Sequence, residues 1–283
     1  MKAARRTTVA GAILVIALIA IAGVVFQRWP RAIPIAAADT IFVYSPHADD
    51  ETYGMGQAIA EHALAGRRVI GVLMTDGDAS GKIPEWIASA GEDLDGDGDI
   101  DKWDFGLARR EEYRAAMGAL GAETLIFLGS AGSHGAEGFR DGALDRSSKD
   151  LSDAIESIVT SVAPSSPVAH MTVAKVDQGR PLASEPREHP DHTALSDVVL
   201  QLAENRAEEL YLYKVYVLYE APWWKRWTNT IVRGSDTAIA RKHEAIEAYA
   251  GIGRASTPEL WEASREGDLE YLAVALPGGL AGR

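Results

Sequence analysis

Two short stretches gather side chains able to hold a metal ion and move a proton. The first is Ser45-Pro46-His47-Ala48-Asp49-Asp50-Glu51, where one imidazole and three carboxylates fall within five residues. The second is Glu188-His189-Pro190-Asp191-His192-Thr193, where two imidazoles three residues apart flank a carboxylate. Taken alone, the second stretch also reads as a polar loop entering a helix, with Asp191 as its N-cap. Taken together, His47, Asp50 and His192 make a two-histidine, one-carboxylate set. That is the ligand count of a catalytic zinc centre that keeps a position for water, and it also suits other divalent metals, iron included. Asp50 gives its charge to the metal. Asp49 points elsewhere and is free to take a proton from the attacking water. His189 can donate to an oxyanion or a leaving amine, with Asp191 orienting its ring. Glu51 is read as stabilising a helix N-terminus by its charge.

A third constellation runs from Asp93 to Asp104. Asp93, Asp95, Asp97, Asp101 and Asp104 take positions 1, 3, 5, 9 and 12 of a twelve-residue EF-hand-type loop, and Asp99 lies among them. Gly98 holds the sixth position, where the turn is sharp, and Ile100 the apolar eighth. So many carboxylates in one turn repel unless a cation is present. The expectation is a structural calcium clip, with Asp104 a shorter twelfth ligand than the usual Glu.

The elements that must position these residues alternate in type. Thr40 to Tyr44 is an apolar strand leading straight into the first stretch, and a small-residue helix from Gly54 to Ala65 leaves it. Val69 to Thr75, Leu125 to Leu128, Val168 to Val173 and Leu210 to Tyr219 read as further strands. Helical patterns cover Leu107 to Leu120, stopped by Gly121, then Leu151 to Val162, Thr193 to Glu204, Ser235 to Ala250 and Pro258 to Arg265. Strands separated by helices of this length predict an α/β, Rossmann-like domain: a mostly parallel sheet with helices on both faces. In such a sheet ligands bind at the carboxyl ends of strands, where the chemical stretches lie. Asp76 and Asp78 end a strand at that edge. His134 sits in a glycine-rich loop, Gly129 to Gly142, as a candidate substrate-rim or plain loop residue. Pro222 to Trp227 is rich in aromatics and cations and suits sugar stacking, a membrane interface or simple packing.

Val9 to Phe26 is an unbroken apolar run of eighteen residues preceded by Lys2, Arg5 and Arg6. At about 1.5 Å per residue it nearly matches a hydrocarbon core of about 30 Å. The expected organisation is a basic cytoplasmic segment over residues 1–8, a transmembrane signal anchor over 9–26, a linker over 27–38 and an extracytoplasmic catalytic domain over 39–283. The alternative is a signal peptide cleaved at Ala36-Ala37-Ala38. The net charge is −13, yet every charge before Asp39 is basic, so the remainder carries −18. That balance argues against a nucleic-acid partner. With no cysteine, disulfides, thiolate metal sites and cysteine nucleophiles are excluded.

The two chemical stretches resemble the PIG-L/LmbE-like family of zinc-dependent N-acetylglucosaminide deacetylases. That family opens with a strand and an AHPDDE-type motif followed by glycines, here Ser45 to Glu51 with Gly54 and Gly56. Its HPDH motif stands unchanged at His189 to His192. An R-x-x-E-x-x-x-A-x-x-x-L-G helix is matched by Arg109, Glu112, Ala116, Leu120 and Gly121, and a late K-x-x-A helix by Lys242 and Ala245 with Tyr249. The family's proline between His and Asp is Ala48 here, while the H-x-D-D spacing survives. The resemblance implies His47, Asp50 and His192 as zinc ligands, Asp49 as general base, His189 as electrophilic helper with Asp191 behind it, and Arg109 as a substrate contact. It implies removal of acetyl from an N-acetylated amino sugar in a glycan or glycoconjugate. The ligand motifs leave open a metal amidase on a non-sugar amide, and a non-catalytic, calcium-ordered glycan-binding module.

Overall fold

A computed structural model describes residues 29–164, 166–174, 189–215 and 230–276. Among them eight strands form one sheet: β1 (Arg31–Ala32), β2 (Thr40–Ser45), β3 (Arg68–Leu73), β4 (Thr124–Phe127), β5 (Val168–Val173), β6 (Glu209–Tyr213), β7 (Thr230–Arg233) and β8 (Glu270–Leu276). Their order is β1-β7-β8-β6-β5-β2-β3-β4. From β6 to β4 every pairing is parallel, with Ile41 opposite Val69 on one side and Ala169 on the other. β8 runs antiparallel to both β6 and β7. The mostly parallel sheet is therefore as expected, with an antiparallel strand that the sequence reading did not anticipate.

Helices cover both faces: α1 (Asp50–Leu64), α2 (Ile83–Ala90), α3 (Lys102–Leu120), α4 (Ser148–Val162), α5 (Pro190–Arg206), α6 (Asp236–Ala248), α7 (Ile252–Ser256) and α8 (Pro258–Glu266). β2 is buried along its whole length, as a central parallel strand must be. Its side chains alternate between two apolar layers. Ile41 and Val43 join Met55, Ile59, Met117 and Ile246 on one face. Phe42 and Tyr44 join Leu151, Ile155, Leu195 and Val199 on the other. Gly121 ends α3 in the left-handed conformation, φ 94°, that glycine adopts without a Cβ penalty.

The helix that leaves the first chemical stretch is broken. Met55 has non-helical backbone angles inside α1. Glu270 of β8 accepts from the Gln57 and Ala58 N–H groups, at 2.6 and 3.1 Å. Lys242 of α6 caps the arrangement, its Nζ donating to Glu270 Oε1 at 2.9 Å and to the Tyr53 carbonyl at 3.1 Å. Both charged side chains are wholly buried. The late K-x-x-A pattern thus supports the start of α1.

The N-terminal expectations need correction. The apolar run Val9 to Phe26 lies outside the described residues. Among the described residues no helix is long and apolar enough to cross a membrane, so the single-pass membrane placement is not supported. Nor is the stretch 31–38 a free linker. β1 pairs with β7, and Ile33, Ala36 and Ala38 are buried. The Ala36 N–H donates to His62 Nε2 at 3.1 Å, and those of Ala37 and Ala38 to Glu209 at 2.9 and 3.0 Å. The Ala36 to Ala38 stretch, read as a cleavage site, is thus built into the fold. Pro222 to Trp227 lies outside the described residues.

Candidate active site

β2 ends at Ser45 and α1 begins at Asp50, so four residues make the turn. The end of β3 ties it down: the Met74 N–H donates to the Ser45 carbonyl at 2.9 Å, and the Thr75 hydroxyl to the Pro46 carbonyl at 2.8 Å. Asp49 is the N-cap of α1, with φ 116°. That left-handed backbone is rare for a residue with a side chain and costs on the order of 1–3 kcal/mol. Glu51 holds it there, accepting from the Asp49 N–H at 3.1 Å and from the hydroxyl of Tyr249, the C-cap of α6, at 2.7 Å. Glu51 therefore does more than bias a helix end by its charge.

α5 brings the second stretch to this turn. His189 is its N-cap and Pro190 its first residue, so Asp191 and His192 lie in the first turn and face the site, and Asp191 is not the cap. Asp50 Oδ2 lies 3.0 Å from both His47 Nδ1 and His192 Nε2. Asp50 is fully buried, and its second oxygen, Oδ1, has no hydrogen-bond partner. Against desolvation, the imidazoles of His192 and His47 hold its carboxyl well below the usual range. A buried carboxylate oxygen left without a partner, beside two imidazoles, is what a bound divalent cation would satisfy, so the residues fit the expected metal.

The remaining groups take sharper places than the sequence indicated. The His189 ring lies 4.5 Å from that of His47 and 4.9 Å from that of His192, centroid to centroid. Burial, then the two imidazoles, push its pKa down to about 4, so it is neutral at neutral pH. Donor atoms of His47, His189 and His192 come within 4.8 Å of one another, as do those of His47, Asp141 and Asp191. Asp191, expected behind His189, instead faces His47 Nε2 at 3.1 Å. It also accepts from the Gly142 and Leu144 N–H groups, at 2.7 and 3.0 Å. Despite desolvation, these contacts hold its pKa at about 2.

Asp141, not anticipated, meets the same His47 nitrogen at 3.1 Å. No motif spacing marks it, because it arrives on the glycine-rich loop. That loop is fixed by Asp76 and Asp78. Asp76 pairs with Arg110 and accepts from the Ala131 N–H at 2.8 Å, and Asp78 accepts from the Asp141 N–H at 2.9 Å.

Arg109, expected at the substrate, is 5% exposed. Its guanidinium donates to Asp49 Oδ2 at 2.8 Å, to the Ala48 carbonyl and to Glu112. Burial pushes the Asp49 pKa up to about 8, with Asp50 and Glu51 adding to the rise and Arg109 opposing it.

The acidic loop does not gather its six carboxylates at one point. Asp93, Asp95 and Asp104 form one group and Asp95, Asp97 and His134 another. Asp101 caps α3, accepting from the Trp103 N–H at 2.6 Å. Asp104 completes a capping box by accepting from the Asp101 N–H at 2.9 Å. Asp99 belongs to neither group. The expected six-carboxylate calcium centre is not supported, because two of its members are spent on the helix start.

Solved structures share this fold. The zinc-inhibited form of teicoplanin deacetylase is 19% identical, with 82% of this chain and 96% of that one covered and a TM-score of 0.53. The A40926 pseudoaglycone deacetylase is 22% identical, with 85% and 97% covered and a TM-score of 0.53. A conserved protein from Thermus thermophilus is 20% identical, with 85% and 96% covered and the same TM-score. No curated protein matches by sequence. The sequence pattern of the PIG-L family, GlcNAc-PI de-N-acetylase, matches residues 42–203, from β2 through most of α5, and the chain belongs to that family.

Proposed function

We propose that the chain is a metal-dependent hydrolase that removes the N-acetyl group from an amino sugar and releases acetate. One observation carries this reading. Asp50 sits within 3.0 Å of two imidazoles from motifs about 140 residues apart, with a second carboxylate, Asp49, on the adjoining residue. The family's description and the deacetylases named among the structural neighbours support the substrate class.

His47, Asp50 and His192 would hold zinc, which supplies a Lewis acid for the acetamide carbonyl and lowers the pKa of water. Asp49 takes the proton from the attacking water as the C–O bond forms. Arg109, paired with it at 2.8 Å, favours the ionised base and fixes its direction. His189, neutral through burial, presents an N–H to the carbonyl oxygen as negative charge grows there. Asp191 and Asp141 face His47 Nε2 at 3.1 Å and fix the tautomer and orientation of that ring. Asp49 then returns its proton to the nitrogen, the C–N bond breaks, and acetate and a free amine leave.

The test is acetate release from a panel of N-acetylglucosamine glycosides and N-acyl amino acids, before and after chelation and zinc return. Activity on the sugars, lost on chelation and restored by zinc, is the expected result. Asp49→Ala should keep its zinc and lose turnover. Release only from acyl amino acids would overturn the sugar assignment, and full activity of zinc-loaded Asp49→Ala would overturn the base assignment.

A further inference from the structure

We propose that Asp95, Asp97 and His134 form a second metal site, suited to a divalent transition-metal ion, that clips the acidic loop to the glycine-rich loop. The inference does not rest on the deacetylase reading. His134 follows the short turn Ala131–Ser133 and has a left-handed backbone, φ 52°. Its ring reaches across to the acidic loop, where Nε2 lies 3.0 Å from Asp95 Oδ2 and Nδ1 lies 4.0 Å from Asp97 Oδ2. One donor atom from each of the three residues lies within 4.8 Å of the other two.

The carboxylates are arranged to leave one oxygen each for this meeting. Asp95 Oδ1 accepts from the Asp97 N–H at 3.1 Å, and Asp97 Oδ1 from the Asp99 N–H at 2.9 Å. The Asp95 side chain is only 10% exposed, and its Oδ2 is buried without a hydrogen bond. Its near neighbour is His134 Nε2 at 3.0 Å, which pairs with it as a cation only when the ring is protonated. A buried, charged oxygen in that condition is costly unless a cation meets it.

Donor chemistry selects the ion. An imidazole with two carboxylates suits zinc, manganese or iron, whereas calcium and magnesium prefer oxygen-only sets. The neighbouring oxygen-only group is already engaged. Asp93 accepts from the Gly96 and Gly98 N–H groups, and Asp104 from those of Leu94, Asp95 and Asp101. The clip joins two segments that serve the active site: the glycine-rich loop carries Asp141 to His47, and the acidic loop leads into α3, which carries Arg109.

The test counts zinc bound per full-length chain by elemental analysis after chelation, reloading and gel filtration. The wild type should hold two equivalents and His134→Asn one; asparagine tolerates the left-handed backbone, and a matching circular-dichroism spectrum confirms folding. Asp97→Asn should likewise hold one. In a His47→Ala/His192→Ala background, one equivalent should remain and disappear on adding His134→Asn. If that background does not fold, the two-to-one change in the otherwise wild-type chain decides. Bound zinc that His134→Asn leaves unchanged, whether one equivalent or two, overturns the proposal. So does an equivalent kept by His134→Asn but lost in Asp93→Asn, which would place the ion on the oxygen-only group.

Discussion

Replacing Arg109 with methionine tests whether the arginine exists to hold Asp49. The guanidinium lies 2.8 Å from Asp49 Oδ2, and neither side chain is more than 12% exposed. Unit charges about 4 Å apart at an effective dielectric of about 20 attract by about 4 kcal/mol. Removing one partner of a buried pair costs roughly 3–5 kcal/mol, because the other charge is left behind. The two figures agree, so at about pH 9, where an Asp49 with a pKa of about 8 is ionised, Arg109→Met should lower unfolding free energy by up to about 3–5 kcal/mol. Glu112 adds little to this loss, since it keeps the Ile252 N–H as a donor at 2.6 Å. If the orphaned Asp49 is the cause, neutralising it should relieve the cost. Urea denaturation of Arg109→Met, Asp49→Asn and the double variant, all metal-free, measures the coupling. The double variant should be more stable than the summed single effects require, by at least about 1.5 kcal/mol. Additivity to within about 0.5 kcal/mol, the behaviour of independent sites, would refute the argument. The same pair predicts a kinetic effect. Without Arg109 the Asp49 pKa moves further up, leaving less ionised base at pH 7, so turnover should fall and partly recover as pH rises.

Three other perturbations have defined outcomes. Lys242→Met leaves Glu270 buried without its cation and should cost about 3–5 kcal/mol; a melting temperature equal to the wild type would show that the pair does not support the break in α1. Gly129→Ala would place a Cβ 2.2 Å from an Asp76 oxygen that Arg110 and the Ala131 N–H hold in place. It should destabilise by about 1–3 kcal/mol, read by urea denaturation, and a neutral result would mean the loop shifts freely. His62 is buried, accepts from the Ala36 N–H through Nε2 and lies 2.7 Å from the Ala58 carbonyl through Nδ1, so it is held neutral and its pKa is lowered by burial. Between its folded pKa and about 6.5 the unfolded chain binds more protons. Its stabilisation is thus present above pH 6.5 and lost as pH falls below it. Urea midpoints from pH 7.5 to 5.5 should fall more steeply for the wild type than for His62→Gln, and equal slopes would contradict this.

The fold and the meeting of the two chemical stretches were legible because they rest on local patterns. A buried parallel strand reads as an apolar run, and β2 entering His47-Ala48-Asp49-Asp50 is such a run. His189 and His192 announce themselves by spacing at a helix start. Asp141 was hidden because a lone carboxylate in a glycine-rich loop has no periodic neighbour. Glu270 was hidden because its role comes from a strand that turns antiparallel beside β6. Arg109 matched a family pattern, yet the pattern carries no sign of which way its guanidinium points. The acidic loop misled for a related reason: its spacing fits an EF-hand, but two of its carboxylates serve as caps of α3.

The sequence by itself determined which side chains offer donor atoms and which strands and helices carry them, since donor type and strand pattern are properties of short segments. Tertiary structure decided what each charge faces. It turned Asp191 from His189 to His47, placed Arg109 beneath Asp49, brought Asp141 to the same imidazole, and set His134 against Asp95. Those pairings join residues tens of positions apart. They follow from how the loops at the carboxyl edge of the sheet close over one another, and in a buried site partner and distance set each group's charge.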